Sequence, residues 1–93
     1  MTIRIRLEIE PLKLGRMVLE EEMEEGSTLK DLLDKLIITH PEVIKHFYDL
    51  KDRSLTGAAA IALNGSLIQS LNGLETRINN SDVVAVVPLL VGG

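Results

Sequence analysis

The sequence contains no cysteine and almost no aromatic residues. The absence of cysteine excludes disulfides, thiolate metal sites and a thiol nucleophile. Phe47 and Tyr48 are the only members of the Phe, Tyr and Trp group, so aliphatic side chains must fill most of the core. No apolar stretch approaches the ~20 residues of a membrane-spanning helix. A chain of 93 residues with 45% apolar residues therefore predicts one small domain and no membrane partner.

Several functional classes also lack their usual signals. The formal net charge of −4 argues against a nucleic-acid partner. No Ser-His-Asp set, phosphate-binding loop or paired carboxylate pattern is present, so we do not expect an enzyme that acts alone. His40 and His46 lack the closely spaced ligands of a metal site, and none is predicted. The chain opens on a strand pattern rather than a signal peptide, which favours a cytoplasmic location.

The first 24 residues predict a hairpin. Apolar and charged residues alternate with period two from Ile3 to Glu10, and Arg16 to Glu24 can pair back. In one antiparallel register, apolar residues face each other (Ile9 and Met17, Leu7 and Leu19, Ile3 and Met23) and so do opposite charges (Glu10 and Arg16, Arg6 and Glu20, Arg4 and Glu22). Ile5 meets Glu21, which an edge strand would explain. The acidic run 20–25 is a solvated strand face or, alternatively, a docking patch for a basic partner.

Two helices are predicted next. Thr28 and Asp31 resemble a capping box, and Leu29, Leu32, Leu33, Leu36 and Ile37 share one face of a helix. His40-Pro41 ends this helix, because the residue before a proline avoids the helical region. Pro41 then opens a second helix, from Glu42 to about Leu50.

The last third predicts more strands. Ala59 to Leu63 and Ser66 to Ser70 flank Asn64-Gly65, a strong hairpin signal. Leu74 and Ile78 are expected to cover the bottom of the core. Val83 to Val87 reads as a buried strand, and Pro88 ends it because proline has no N–H for the ladder. The predicted fold class is α+β, with a helix across one face of a mixed sheet.

The six residues from Pro88 to Gly93 are the most specific feature. They are apolar, can extend up to ~20 Å, and end in Gly92-Gly93. Two residues without Cβ let a terminal carboxylate enter a narrow channel in another protein.

This tail resembles that of the ubiquitin-like sulfur carriers, most closely the small subunit of molybdopterin synthase. Those proteins end in Pro-x-x-x-Gly-Gly after a buried last strand. The chain differs in having Leu89 after Pro88, and Asn80-Ser81-Asp82 where the family usually has Asp-Gly-Asp. The resemblance implies a β-grasp domain over residues 1–87, with the first and last strands parallel in the centre, and a flexible tail over 88–93.

The resemblance also implies the chemistry. An ATP-dependent adenylyltransferase would activate the Gly93 carboxylate, which would then become a thiocarboxylate that donates sulfur in molybdopterin biosynthesis. Without cysteine, no side chain could carry that sulfur. The implied partner-binding residues are Pro88, Leu89, Leu90, Val91 and Gly92, and the second partner is the larger synthase subunit. No cofactor is bound permanently, since the activating enzyme uses the ATP.

Two alternatives use the same tail. In the first, Gly93 is joined to lysines of other proteins, as in a ubiquitin-like modifier. In the second, the chain is a non-catalytic interaction domain whose tail packs on a partner. The sequence leaves open the sulfur acceptor (molybdopterin, thiamin thiazole or tRNA), the activating enzyme and the oligomeric state.

Overall fold

The secondary structure consists of seven strands and two helices in the residues that the computed structural model describes, which are 1–10, 16–45, 48–49, 51–52, 54–55 and 59–88. In chain order the elements are β1 (Thr2–Ile9), β2 (Met17–Glu24), α1 (Leu29–Thr39), α2 (Pro41–Ile44), β3 (Tyr48–Asp49), β4 (Ser54–Leu55), β5 (Ala59–Leu63), β6 (Ser66–Leu67) and β7 (Val83–Pro88). Short 3-10 helices span Ile68–Ser70 and Gly73–Glu75. No helix of the described ranges is long and apolar enough to cross a bilayer.

The main sheet has the order β2-β1-β7-β5-β6, and β3 and β4 form a separate pair. β7 lies in the centre, parallel to β1 and antiparallel to β5. The leucines of α1 are buried against one face of this sheet. The predicted α+β, β-grasp architecture is therefore confirmed, including the parallel first and last strands.

The predicted register of the first hairpin is confirmed from Ile9 opposite Met17 to Ile3 opposite Met23. One predicted ion pair differs. Arg6 lies opposite Glu20, but its Nε is 3.2 Å from Oε2 of Glu8 on its own strand. Glu20 instead lies 4.0 Å from Arg4, which also reaches Glu22 at 3.5 Å. The backbone register determines which residues lie opposite each other. A long exposed side chain can pair with any of several nearby charges, so the register does not determine the ion pairs.

β2 is an edge strand, and Glu21 is its inward charge. The Glu21 side chain is only 10% exposed, with Oε2 3.5 Å from Lys35 Nζ and Oε1 3.5 Å from His40 Nε2. Thr39 donates its hydroxyl to Oε1 at 3.2 Å, and Lys35 also donates to the Glu22 carbonyl on the outer edge. The end of α1 thus satisfies the buried carboxylate and occupies part of the edge that would otherwise recruit another strand.

α1 begins and ends where the sequence predicts. The Thr28 hydroxyl accepts the Asp31 N–H at 3.3 Å, and the Asp31 carboxylate accepts the Thr28 N–H at 2.9 Å, which completes a capping box. The helix stops at Thr39 and His40 caps it before Pro41. Leu29, Leu32, Leu33 and Leu36 are buried, Ile37 packs at the border of the core, and Ile38 points into solvent.

The core lies between α1 and the inner face of the sheet. Its members are aliphatic apart from Met23 and Tyr48, as the composition predicts. Ile78 is buried and Leu74 packs against the cluster, so the prediction that they close the bottom of the core is confirmed.

The prediction of a second helix from Glu42 to about Leu50 is wrong at residues 48–49, and α2 spans Pro41–Ile44. Residues 48–49 pair with 54–55 as strands instead. The Asp49 side chain accepts the N–H groups of Lys51 and Asp52 at 2.8 and 3.1 Å. These bonds form a turn and occupy N–H groups that a continuing helix would bond to its own carbonyls. Aspartate competes in this way for local backbone groups and disfavours helix interiors.

The strand predicted for Ser66 to Ser70 is also shorter. Only Ser66 and Leu67 pair with β5, and Ile68–Ser70 form a 3-10 turn closed by the Leu71 N–H on the Ile68 carbonyl, at 3.0 Å. This turn buries the Ile68 side chain in the core. The sequence also predicts a short connection at 11–15, an inward Phe47 and a turn at 56–57, and these lie outside the described residues.

Candidate functional site

The central strand β7 carries the predicted tail, so its placement decides where the tail begins. Val84 and Val86 are buried against α1, and Val83, Ala85 and Val87 alternate onto the opposite face. On the β1 side, Arg6 N–H donates to the Asp82 carbonyl and Glu10 N–H to the Val86 carbonyl, each at 3.0 Å. The strand is thus held along its length by β1 on one side and β5 on the other.

Asn64 holds the start of β7. Its backbone N–H donates to the Val83 carbonyl at 2.8 Å, and its side-chain Oδ1 accepts the Val83 N–H at 2.9 Å. Its Nδ2 donates to Asp82 Oδ1, also at 2.9 Å. Asn64 has a φ of 50°, the left-handed conformation that the Asn-Gly hairpin turn requires. Asn64 therefore forms the β5–β6 turn and also hydrogen-bonds to the neighbouring strand, β7.

The turn before β7 is tied to β1. Asn80 Oδ1 accepts the Arg4 N–H at 2.9 Å, and the Ser81 N–H donates to the Arg4 carbonyl at 2.9 Å. The second carboxylate oxygen of Asp82 accepts the Asn79 N–H at 2.7 Å. Residues 79–82 are thus hydrogen-bonded to β1 and to Asn64 at the end of β5, on both sides of β7.

Pro88 is the last residue of β7 and lies opposite Ala59. The predicted strand Val83–Val87 is confirmed, and it includes Pro88, the last of the described residues. The other predicted site residues, Leu89, Leu90, Val91, Gly92 and Gly93, lie outside the described residues.

The sheet face that α1 leaves uncovered is divided into two halves. One row across all five strands of the main sheet contains Val18, Glu8, Ala85, Ala62 and Leu67. The half on β7, β5 and β6 is apolar, and Leu67 and Val87 are 49% and 38% exposed. We call Val83, Ala85, Val87, Ala62 and Leu67 the apolar face.

The half on β1 and β2 is charged. Glu8 lies at the border with the apolar face and accepts Arg6 Nε at 3.2 Å and Arg16 Nη2 at 3.5 Å. Arg16 also reaches Glu10 at 3.9 Å. In the acidic run 20–25, Glu20 and Glu22 lie 4.0 and 3.5 Å from Arg4, which favours a solvated, self-paired strand face over a free acidic patch.

The described residues contain no group of three His, Cys, Asp or Glu side chains able to hold a metal ion. The one buried carboxylate among them, Glu21, is used by Lys35, Thr39 and His40.

Sequence reasoning missed the clamp formed by Asn64 and Asp82 and also the apolar face. The local signal at Asn64-Gly65 indicates only a turn. Its second role requires the knowledge that β7 is the strand next to β5. The apolar face was visible as Val83, Ala85 and Val87 at period two, but the uninterrupted apolar run hid that alternation.

Comparison with known families decides the relationship. The family model described as ThiS family matches residues 12–93, which is most of the chain. The chain belongs to the ThiS family. The ubiquitin-like sulfur carrier relationship predicted from the tail is thereby confirmed, and small carriers of this kind are generally non-catalytic. A search of the curated proteins found no match.

Solved structures share the fold of this ThiS-family chain. The small archaeal modifier protein 1 of Methanosarcina acetivorans is 22% identical, with a TM-score of 0.72 over 100% of this chain and 99% of that chain. The protein of the same name from Haloferax volcanii is 20% identical, with a TM-score of 0.73 over 100% of both chains. A putative molybdopterin converting factor, subunit 1, from Pyrococcus furiosus is 20% identical, with a TM-score of 0.65 over 95% of this chain and 99% of that one.

Proposed function

We propose that this protein is a sulfur carrier whose Gly93 carboxylate is adenylated by an ATP-dependent partner and converted to a thiocarboxylate. The observation that carries the proposal is the ThiS-family match extending through a Gly-Gly tail that directly follows the central strand. A carrier of this kind contributes positioning, which can lower a barrier by ~7–11 kcal/mol in a well-held geometry. Its partners supply the catalytic groups.

The chemistry follows from the inertness of a carboxylate. A carboxylate oxygen attacks the α-phosphate of ATP, pyrophosphate leaves, and the resulting acyl-adenylate has AMP as a good leaving group. The outer sulfur of a partner's persulfide then attacks the acyl carbon and expels AMP. A thiol cleaves the acyl disulfide, is itself oxidised to a disulfide, and leaves the thiocarboxylate on Gly93.

Intact mass spectrometry tests this proposal directly. The protein is incubated with a candidate adenylyltransferase, ATP, a persulfide donor and a thiol. We expect a mass gain that corresponds to one oxygen replaced by sulfur, located on the C-terminal peptide and sensitive to alkylation. A product that instead joins Gly93 to lysines of other proteins would support the modifier alternative and contradict the carrier function.

For the acceptor, we favour the pterin precursor of molybdopterin, with the chain acting as the small subunit beside a larger synthase subunit. The length of 93 residues and the segment 41–53 support this choice over the shorter thiamin sulfur carrier. The test is sulfur transfer from the thiocarboxylate form to the precursor, with and without the larger subunit. Transfer to a thiazole precursor but not to the pterin would contradict it.

The docking surface proposed for the adenylyltransferase combines the tail with the apolar face. Val87 belongs to the apolar face and directly precedes Pro88, so a partner that engages the tail also lies beside this face. Apolar side chains exposed together on one sheet face are typical of protein-binding surfaces.

Replacing Leu67 with Arg tests the apolar face. We expect at least tenfold weaker binding to the adenylyltransferase, because the charge must be desolvated in an apolar interface. Ile38→Arg is the matched control, since Ile38 is 81% exposed on α1 and points away from the sheet. Isothermal titration of both variants measures the effect. Equal affinities of the two variants for the adenylyltransferase would show that the apolar face is not part of the interface.

A second substitution, Leu90→Asp, tests the tail. We expect binding to the adenylyltransferase to weaken by at least tenfold, while the melting temperature stays unchanged. Unchanged binding would exclude this segment from the interface. A lower melting temperature would show that Leu90 belongs to the core.

A further inference from the structure

We propose that Asn64, together with Asp82, is a positioning residue that fixes the register of β7 and thereby sets how far the tail reaches. The inference rests on the proposed function, because it concerns the delivery of Gly93 to a partner's active site. It starts from a weakness in the strand itself: residues 83–87 read Val-Val-Ala-Val-Val, which is nearly self-similar under a shift of two residues.

A shift by one residue is excluded, because it would exchange the buried and exposed faces of β7. A shift by two keeps the faces. In the retracted register, Val86 takes the buried place of Val84 and Val87 takes the place of Ala85. Apolar patterning therefore distinguishes this register poorly from the observed one.

The opposite shift is already blocked. Moving β7 toward the tail would bring Asp82 into the buried place of Val84, and an unpaired buried carboxylate is strongly unfavourable. The retracted register thus remains as the competitor. It would pull the tail back by two residues, or about 6.6–6.8 Å.

Two features oppose retraction. The first is the clamp: Asn64 Nδ2 donates to the Asp82 carboxylate at 2.9 Å, and retraction would put Val84 in the place of Asp82 and remove this bond, whereas the Ala85 N–H would replace the Val83 N–H at Asn64 Oδ1. The second is Pro88. In the retracted register it would take the place of Val86, whose carbonyl accepts the Glu10 N–H, and a proline has no N–H to donate at that position. The clamp acts at the start of the strand and the proline at its end.

The absence of cysteine makes the register measurable by engineered cysteine pairs. Ala62→Cys with Ala85→Cys reports the observed register, because these residues are directly opposite. Ala62→Cys with Val87→Cys reports the retracted one. In the observed register the latter two are diagonal neighbours, about 7–8 Å apart, which exceeds the span of a disulfide.

Asn64→Gly then removes the clamp and keeps the turn, since glycine accepts a positive φ. The lost hydrogen bond to the charged Asp82 carboxylate, worth about a tenfold change in an equilibrium, predicts a roughly tenfold rise in the ratio of retracted to observed crosslink. Asp82→Ala is a second variant that should raise the same ratio. Thr28→Ala, which weakens the cap of α1, is the stability control and should leave the ratio unchanged. An unchanged ratio in both clamp variants, or an equal rise in the control, would overturn the proposal.

The effect on reach is read from the adenylation step, which needs no thiol. We expect the protein crosslinked in the retracted register to be adenylated at least 100-fold more slowly than the same protein with its disulfide reduced, a comparison that cancels the effect of the substitutions on the apolar face. Reduction should leave the rate of the protein crosslinked in the observed register unchanged. Equal rates before and after reduction of the retracted form would show that register does not set reach and would overturn the proposal. If neither form is adenylated, the proposed function fails, whereas the crosslink ratio still decides whether the clamp fixes the register.

Discussion

We expect deletion of Gly93 to abolish sulfur acceptance and to leave the fold intact. The deletion shortens the tail by about 3.3–3.6 Å, and a misplacement of 1 Å already costs a reaction ~100-fold. The nearest described residue, Pro88, lies at the end of β7, so the deletion removes no core contact that the structure describes. Intact mass spectrometry after incubation with the adenylyltransferase measures the loss, and thermal denaturation checks the fold.

Appending one alanine after Gly93 is the matched control for length. This variant lengthens the tail by one residue instead of shortening it. Its carboxylate belongs to a residue with a side chain and lies one position beyond the Gly93 carboxylate. We expect this variant to be equally inactive. Sulfur acceptance by either variant would contradict a mechanism that depends on the Gly93 carboxylate.

The second large effect concerns the centre of the sheet. Leu7 is fully buried in β1, between Leu19 on one side and Val84 on the other. Replacing a buried leucine with alanine leaves a cavity, and we expect Leu7→Ala to lower the free energy of unfolding by about 3–5 kcal/mol. For a domain of this size that corresponds to a melting temperature lower by roughly 12–40 °C.

Val18→Ala provides the comparison within the same hairpin. Val18 lies on the uncovered face and is 46% exposed, so its truncation should cost less than about 1 kcal/mol. Urea denaturation of the two variants gives both values. A Leu7→Ala protein as stable as the Val18→Ala protein would show that β1 and β7 do not share a packed core.

The first hairpin could be predicted in full because two independent patterns agree on one register. Apolar pairs such as Leu7 and Leu19 and charge pairs such as Arg4 and Glu22 coincide in no register shifted by one residue. The ends of α1 were equally predictable, since the capping box and Pro41 act within a few residues of the positions they determine.

Features that depend on distant partners could not be predicted. β3 and β4 have two residues each and exist only because they meet each other at the turn made by Asp49. Likewise, Asn64 grips Val83 from 19 positions away, which a local turn signal cannot reveal. In the candidate site, the Gly-Gly tail could be recognised in the sequence. The hydrogen bonds that hold the start of β7 could be identified only from the arrangement of the strands.

The parallel pairing of β1 with β7 also determines the order of folding. Arg6 pairs with Val83, so the centre of the sheet closes only when strands from the two ends of the chain meet. The β1–β2 hairpin and α1 can form locally, but β1 has no central neighbour until β7 inserts between it and β5. Such non-local pairing slows folding, because the loop entropy is lost before the contacts form. The strand that carries the Gly-Gly tail is thus the one that completes the sheet, so the proposed delivery of the Gly93 carboxylate would depend on a chain that has already folded.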